Sequence, residues 1–173
     1  MLLRLFSVSC LALVSLTPTF AKTPRQMADV KINLQRGDFK KISQYRGKVV
    51  LLGIFSTDCE SCQQAATILN KIQTEFAAKG VQVLGAAVNK AAPKDIVAWS
   101  KPVKPIYPLG TMDEATTRLA ADLGDKGEKP YVPILIFIDR KGDVQIQLAG
   151  DSPAFEQFGT TIRAALNNLL LRK

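Results

Sequence analysis

Cys59-Glu60-Ser61-Cys62 is the stretch of this sequence whose residue types and spacing could do chemistry. Two thiols three positions apart can close into a disulfide and reopen, and the thiolate of such a pair attacks other disulfides. The pair sits where an apolar run, Val49-Val50-Leu51-Leu52-Gly53-Ile54-Phe55, ends and a helical pattern begins. The first N–H groups of a helix lack partners and its macrodipole is positive there, so a sulfur on the first turn is stabilised as thiolate. Cys59 is therefore expected to be the exposed nucleophile. Cys62, one turn further in, is expected to be covered and to resolve the mixed disulfide by attacking Cys59.

The flanking elements follow from their patterns. Val49–Phe55 is apolar on nearly every residue, which predicts a central strand covered on both faces. After Cys62, Ala65, Ala66, Leu69, Ile72 and Phe76 form a helical stripe, with Gln63, Gln64, Lys71, Gln73 and Glu75 facing away, and Lys79-Gly80 stops the helix. Val81–Val88 is a second core strand, so strand, helix and strand make a parallel βαβ unit. Upstream, residues 29–34 and 39–42 around Gln35-Arg36-Gly37-Asp38 predict a β-hairpin. Downstream, a short helix over Pro93–Ser100 ends at Pro102, and residues 101–108 are too rich in proline for regular structure beyond a short edge strand. A helix over Asp113–Leu123 closed by Gly124 and a polar loop over 125–129 come next. Val132–Ile138 and Val144–Leu148 form an antiparallel hairpin, and Ser152-Pro153 opens a last helix with Phe155, Phe158, Ile162, Leu166 and Leu169 buried.

With 173 residues, the chain has room for one domain with a proper core. Residues 1–21 read as a signal peptide: a basic start through Arg4, an apolar stretch from Leu5 to Leu16, and small residues at Thr19 and Ala21, with cleavage expected before Lys22. The competing reading is an uncleaved N-terminal anchor, although the apolar run is shorter than a bilayer span requires. Residues 22–28 read as a flexible lead-in and 29–173 as the folded domain. The mature chain then keeps only Cys59 and Cys62 of the three cysteines. Export to the periplasm or beyond makes a disulfide between them feasible, and the loop is too short for it to be an effective staple, which favours redox use. The formal charge of +8 becomes +7 when Arg4 leaves, with lysines and arginines scattered rather than clustered. Nucleic acid is not an expected partner.

These elements resemble a thioredoxin fold in the version found in exported bacterial thiol-disulfide oxidoreductases often called TlpA-like. The resemblance is carried by Tyr45-Arg46-Gly47-Lys48-Val49-Val50-Leu51-Leu52, by Cys59-Glu60-Ser61-Cys62, by Lys79-Gly80-Val81-Gln82-Val83-Leu84-Gly85, and by Val132-Pro133 with Asp139-Arg140-Lys141-Gly142. It implies an α/β architecture: a thioredoxin-like fold with a central mixed sheet flanked by helices, an N-terminal β-hairpin and a central insertion. It also implies a reductase of protein disulfides that consumes no cofactor at the site, holds no metal, acts as a monomer and is kept reduced by a membrane electron donor. In this family the residue matching Pro133 has a cis peptide bond and lies against the dithiol, which would turn the backbone of Val132 towards an extended substrate segment.

The chain departs from the family pattern in places. Asp58 stands where tryptophan is usual, and Ser61 where proline is frequent. Asp58 and Glu60 put negative charge beside the sulfur and oppose the helix dipole, so the Cys59 pKa is expected nearer the free-cysteine value and the pair is expected to be a reductant. If both carboxylates point into solvent they do little. The buried acid that thioredoxins often carry beneath the dithiol is replaced by Gly53. Four other readings remain: an oxidant of exported proteins; a peroxidase, for which Ser56 has suitable spacing but the expected proline is missing; a copper(I) carrier on two thiolates; and a thioredoxin-like binding module with little catalysis. A complete Cys/His zinc site is excluded because the chain has no histidine. Trp99 and Phe55 are expected to be packing residues.

Overall fold

Alternation decides where the core sits. In the strand Val49–Phe55, Val49, Leu51 and Phe55 belong to one buried cluster, and Val50, Leu52 and Ile54 to another on the opposite face. Burying such side chains is worth about 1.5–3 kcal/mol each, so this strand alone contributes on the order of 10 kcal/mol before entropy is counted. It is the central strand that its unbroken apolar run predicts.

The computed structural model describes residues 23–124, 131–155 and 157–172. The expected leader and the polar loop over 125–129 lie outside the described residues. The elements are β1 (Arg25–Gln26), β2 (Lys31–Asn33), β3 (Phe39–Lys41), β4 (Val49–Phe55), α1 (Glu60–Phe76) and β5 (Val81–Ala87). They continue with α2 (Ala92–Val103), β6 (Leu109–Thr111), α3 (Glu114–Ala121), β7 (Ile134–Ile138), β8 (Asp143–Leu148) and α4 (Phe158–Leu171). The strands form one mixed sheet in the order β1-β8-β7-β4-β5-β6-β2-β3. β4, β5 and β6 run parallel, while β7 lies antiparallel to β4 and to β8. Residues of α1, α2 and α4 pack on one face. Ala120 and Ala121 of α3 pack with Met27, Val30, Ile32 and Ile42 on the other. This is the thioredoxin-like α/β fold, with the N-terminal hairpin as β2–β3 and α2, β6 and α3 inserted between β5 and β7.

Several expectations need correction. Residues 22–28 are not a flexible lead-in where they are described. Arg25 pairs with Val144 and Gln26 with Asp143, and Met27 is only 3% exposed. The Arg25 guanidinium donates to the Ala120 carbonyl and to Gln147 Oε1, both at 2.8 Å, which ties the segment down. Pro102 does not end α2 but lies inside its last turn, one residue before Val103. Near a C-terminus a proline removes a single helical bond, so the helix runs on briefly to Lys104, which turns left-handed at φ 48°.

Residues 109–111, left without regular structure by the sequence, form β6 in the interior of the sheet. β6 pairs with β5 over three residues and with β2 at Asn33↔Thr111. The backbone of Asn33 occupies the space that a β-carbon at Gly110 would need, so glycine is required for β2 to approach. α3 stops at Ala121 because Asp122 adopts φ 52°, two residues before Gly124. The last helix starts at Phe158, preceded by a short 3-10 turn at Pro153–Phe155, and buries Phe158, Ile162, Leu166 and Leu169.

Candidate active site

The dithiol turn is positioned by the parallel strands beneath it. β4 ends at Phe55, whose carbonyl accepts the Val88 N–H at 3.0 Å just beyond β5. Asn89 then clamps the loop: its Oδ1 accepts the Thr57 N–H at 3.0 Å, and its amide donates to Thr57 Oγ1 at 2.9 Å. The chain enters α1 with Cys59 as the extended N-cap residue, φ −111° and ψ 113°. Cys59 Sγ accepts the Cys62 N–H at 3.2 Å, one of the donors a helix start leaves unpartnered.

Cys59 and Cys62 form a disulfide with their Cα atoms 5.2 Å apart. Cys62 is fully buried among Ala65, Ala66 and Phe55, whereas Cys59 is half-buried at the edge of the same cluster. Ser61 Oγ lies 3.3 Å from Cys59 Sγ. The two acids beside the pair are both at the surface. Asp58 accepts a hydrogen bond from the Ser56 hydroxyl, and Glu60 sits in the first turn of α1, where the helix dipole favours its charge. Exposure to water weakens what either charge does to the sulfur.

The Val132–Pro133 peptide bond is cis. Pro133 shares a groove of about 680 Å³ with Ser61, Gln64, Ile68, Gly150 and Phe158, so the proline loop and the dithiol turn open onto one space. Gly150 holds that loop. Its N–H donates to the Tyr131 carbonyl at 3.1 Å, and a β-carbon on it would stand 2.7 Å from the Val132 oxygen.

Gly53 marks the place of the missing acid. A β-carbon there would meet Phe55 Cζ at 2.6 Å and Leu69 Cδ1 at 2.9 Å, so no carboxylate fits beneath the dithiol without displacing the ring. Gly53 pairs with Gly85 on β5, and the hollow left by the two glycines is filled by Phe55, Leu109 and Tyr107. Phe55 rests against Trp99, centroids 5.7 Å apart. The Tyr107 hydroxyl donates to the Ala66 carbonyl of α1 at 3.1 Å, and burial pushes its pKa well above the ordinary value.

Two glutamines of α1 turn inward, against the expectation that they face away. Gln63 donates to the Trp99 carbonyl at 3.0 Å. Gln73 accepts the Val83 N–H at 2.7 Å, which β6 is too short to reach because it pairs only with Gly85–Ala87. Asn89, Gly150 and Gln73 are the positions that sequence patterns missed. A polar residue directly after a core strand was the one available signal, at Asn89. Among the described residues, no group of three or more His, Cys, Asp or Glu is placed to hold a metal, and no helix is long and apolar enough to cross a membrane.

Comparison with known proteins agrees with this geometry. The thiol-disulfide oxidoreductase ResA of Geobacillus kaustophilus is 25% identical over 116 residues, 66% of this chain and 62% of that protein. The thiol:disulfide interchange protein DsbE of Haemophilus influenzae is 30% identical over 106 residues, 61% of this chain and 53% of that protein. The chain thus spans between half and two thirds of the length of these curated relatives. A Chlorobium tepidum structure assigned as a thiol:disulfide interchange protein DsbE superposes with a TM-score of 0.65 at 28% identity, covering 83% of this chain and 96% of that one. The Redoxin family model matches residues 22–162, which takes in β1 through the first turn of α4 and the whole dithiol turn, and the chain belongs to that family.

Proposed function

We propose that the protein is an exported thiol-disulfide oxidoreductase that reduces protein disulfides through Cys59 and Cys62. The observation that carries this reading is the sulfur pair itself: bonded, at the start of α1, with one sulfur reachable and the other buried. In the reduced protein the Cys59 thiolate attacks a substrate disulfide, forming a mixed disulfide and releasing one substrate thiolate. Cys62, deprotonated, then attacks Cys59 Sγ, closing the internal disulfide and releasing the second thiolate. Two electrons pass to the substrate, and a membrane dithiol donor returns them. The Val132 backbone at the cis proline pairs with the extended substrate segment, and Pro133 shapes the wall beside it.

The reductive direction rests on Asp58 and Glu60, whose charges, weakened by their exposure, still oppose stabilisation of the thiolate by the helix start, and export rests on the pattern of residues 1–21. The test is insulin-disulfide reduction by wild type and by Cys59→Ser, together with the reduction potential of the pair. A wild-type rate well above the variant's and a potential near the thioredoxin value of about −270 mV support the reading. Equal background rates, or a potential near about −120 mV, overturn it.

A further inference from the structure

We infer that Ser61 is part of the redox chemistry: its hydroxyl donates to the Cys59 sulfur and holds the thiolate, in a place where relatives of this type frequently carry a proline that has no donor. The inference rests on the dithiol reading above and adds a residue to it. Ser61 Oγ and Cys59 Sγ are 3.3 Å apart. With both sulfurs joined in the disulfide, Cys59 has no proton to give, so the hydroxyl is the donor. When two electrons break the S–S bond and Cys59 is left as the thiolate, the same hydroxyl faces a full negative charge, to which hydrogen bonds are stronger than to a neutral acceptor. The Cys62 N–H at 3.2 Å supplies the second donor.

Two donors therefore meet the sulfur from the first turn of α1. The charged groups around it are few. Asp58 and Glu60 are exposed on the same turn, and Asp151 is exposed beside Gly150. Arg163 of α4 lines the groove with Ser61 and is paired with Glu75 at 2.7 Å. With carboxylates flanking the thiolate, the hydroxyl offsets part of their repulsion. Ser61 is itself exposed, so water competes for the sulfur and the effect is about tenfold rather than a hundredfold.

The hydroxyl favours the reduced, ionised form, so its removal makes the pair a stronger reductant. The experiment titrates the thiolate absorbance of the reduced protein and measures its potential at alkaline pH, where the Cys59 thiol is ionised, for wild type, Ser61→Ala and Ser61→Thr. Ser61→Ala is expected to raise the Cys59 pKa by about one unit, a tenfold loss of thiolate, and to make the potential more negative by about 30 mV, the equivalent of tenfold in the equilibrium constant. Ser61→Thr restores both values. If Ser61→Ala titrates with wild type, or Ser61→Thr shifts as far as Ser61→Ala, the inference fails. Melting of the oxidised variants separates a packing defect, which moves stability without moving the pKa. These readouts use no substrate, so failure of insulin reduction with the pKa shift intact would remove the proposed activity and leave the Ser61 role standing.

Discussion

The ring of Phe55 lies over Gly53, its Cζ 2.6 Å from the point that a β-carbon on the glycine would occupy. Both residues are on β4, two positions apart, so both face α1, and the ring rests against Trp99 in the buried cluster that also holds Leu69. The floor beneath the dithiol is thus aromatic and buried. Gly53→Ala is expected to cost about 1–3 kcal/mol by overpacking, and Gly53→Asp more, because it buries an acid with no partner. The urea midpoint measures this. Combining Gly53→Ala with Phe55→Leu should recover part of the loss, and strictly additive effects would show that the ring is not what fills the space.

The parts of this architecture legible in the sequence were those written in local patterns. β4 was readable because both faces are buried and the run is unbroken, and the dithiol because two cysteines meet a helix start. β6 was not, because three residues between prolines and a capping aspartate carry no period. They become a strand only by pairing with Gly85–Ala87 and Asn33, which are distant in the chain. Gln73 and Asn89 were hidden for the related reason that each answers a backbone group exposed by the fold, the Val83 N–H and the Thr57 N–H. The helical stripe of α1 predicts which side chains are apolar, but not which polar ones find a buried donor. The β1 pairing likewise depends on β8, more than a hundred residues away in the chain.

Gly150 is the position where the proline loop is most sensitive. A methyl group there would press on the Val132 carbonyl at 2.7 Å, and backbone, unlike a side-chain tip, cannot swing away. Gly150→Ala should therefore shift Val132 and Pro133, with a stability cost of about 1–3 kcal/mol. The larger effect is expected on substrate turnover, a drop of roughly tenfold or more in insulin reduction, because small displacements in a binding wall are costly to rate. Full activity in this variant would detach the Val132-Pro133 loop from the reaction.

Asn89 is expected to act on the dithiol only through the loop it holds. Asn89→Ala removes the acceptor for the Thr57 N–H and the donor to Thr57 Oγ1. Half-buried, the freed groups are partly recovered by water, so the cost is about 1 kcal/mol, at the lower end for an unpaired amide. The Thr57 amide should exchange its hydrogen faster while amides in the middle of β4 keep their protection. Unchanged exchange at Thr57 would mean that the Val88 to Phe55 backbone bond is sufficient to hold the loop.

Tyr107 is expected to contribute to the loss of stability at alkaline pH. Burial raises its pKa above the ordinary 10.0, because the phenolate would lose its water in a pocket closed by Gly85, Phe55 and α1. The folded state therefore holds the phenolic proton more tightly than the unfolded chain. The stability linked to that proton is fully present below the unfolded value of about 10 and is lost as pH rises from there towards the folded value. Tyr107→Phe removes the hydrogen bond to the Ala66 carbonyl, a cost of about 0.5–1.5 kcal/mol at neutral pH, and removes the buried titrating group with it. The variant should be the less stable protein at pH 7 and should lose stability less steeply above pH about 10, so the two urea midpoints converge. Tyr45, also raised by burial, keeps some alkaline slope in both proteins. Parallel pH profiles for the two proteins would place the alkaline loss of stability elsewhere than Tyr107.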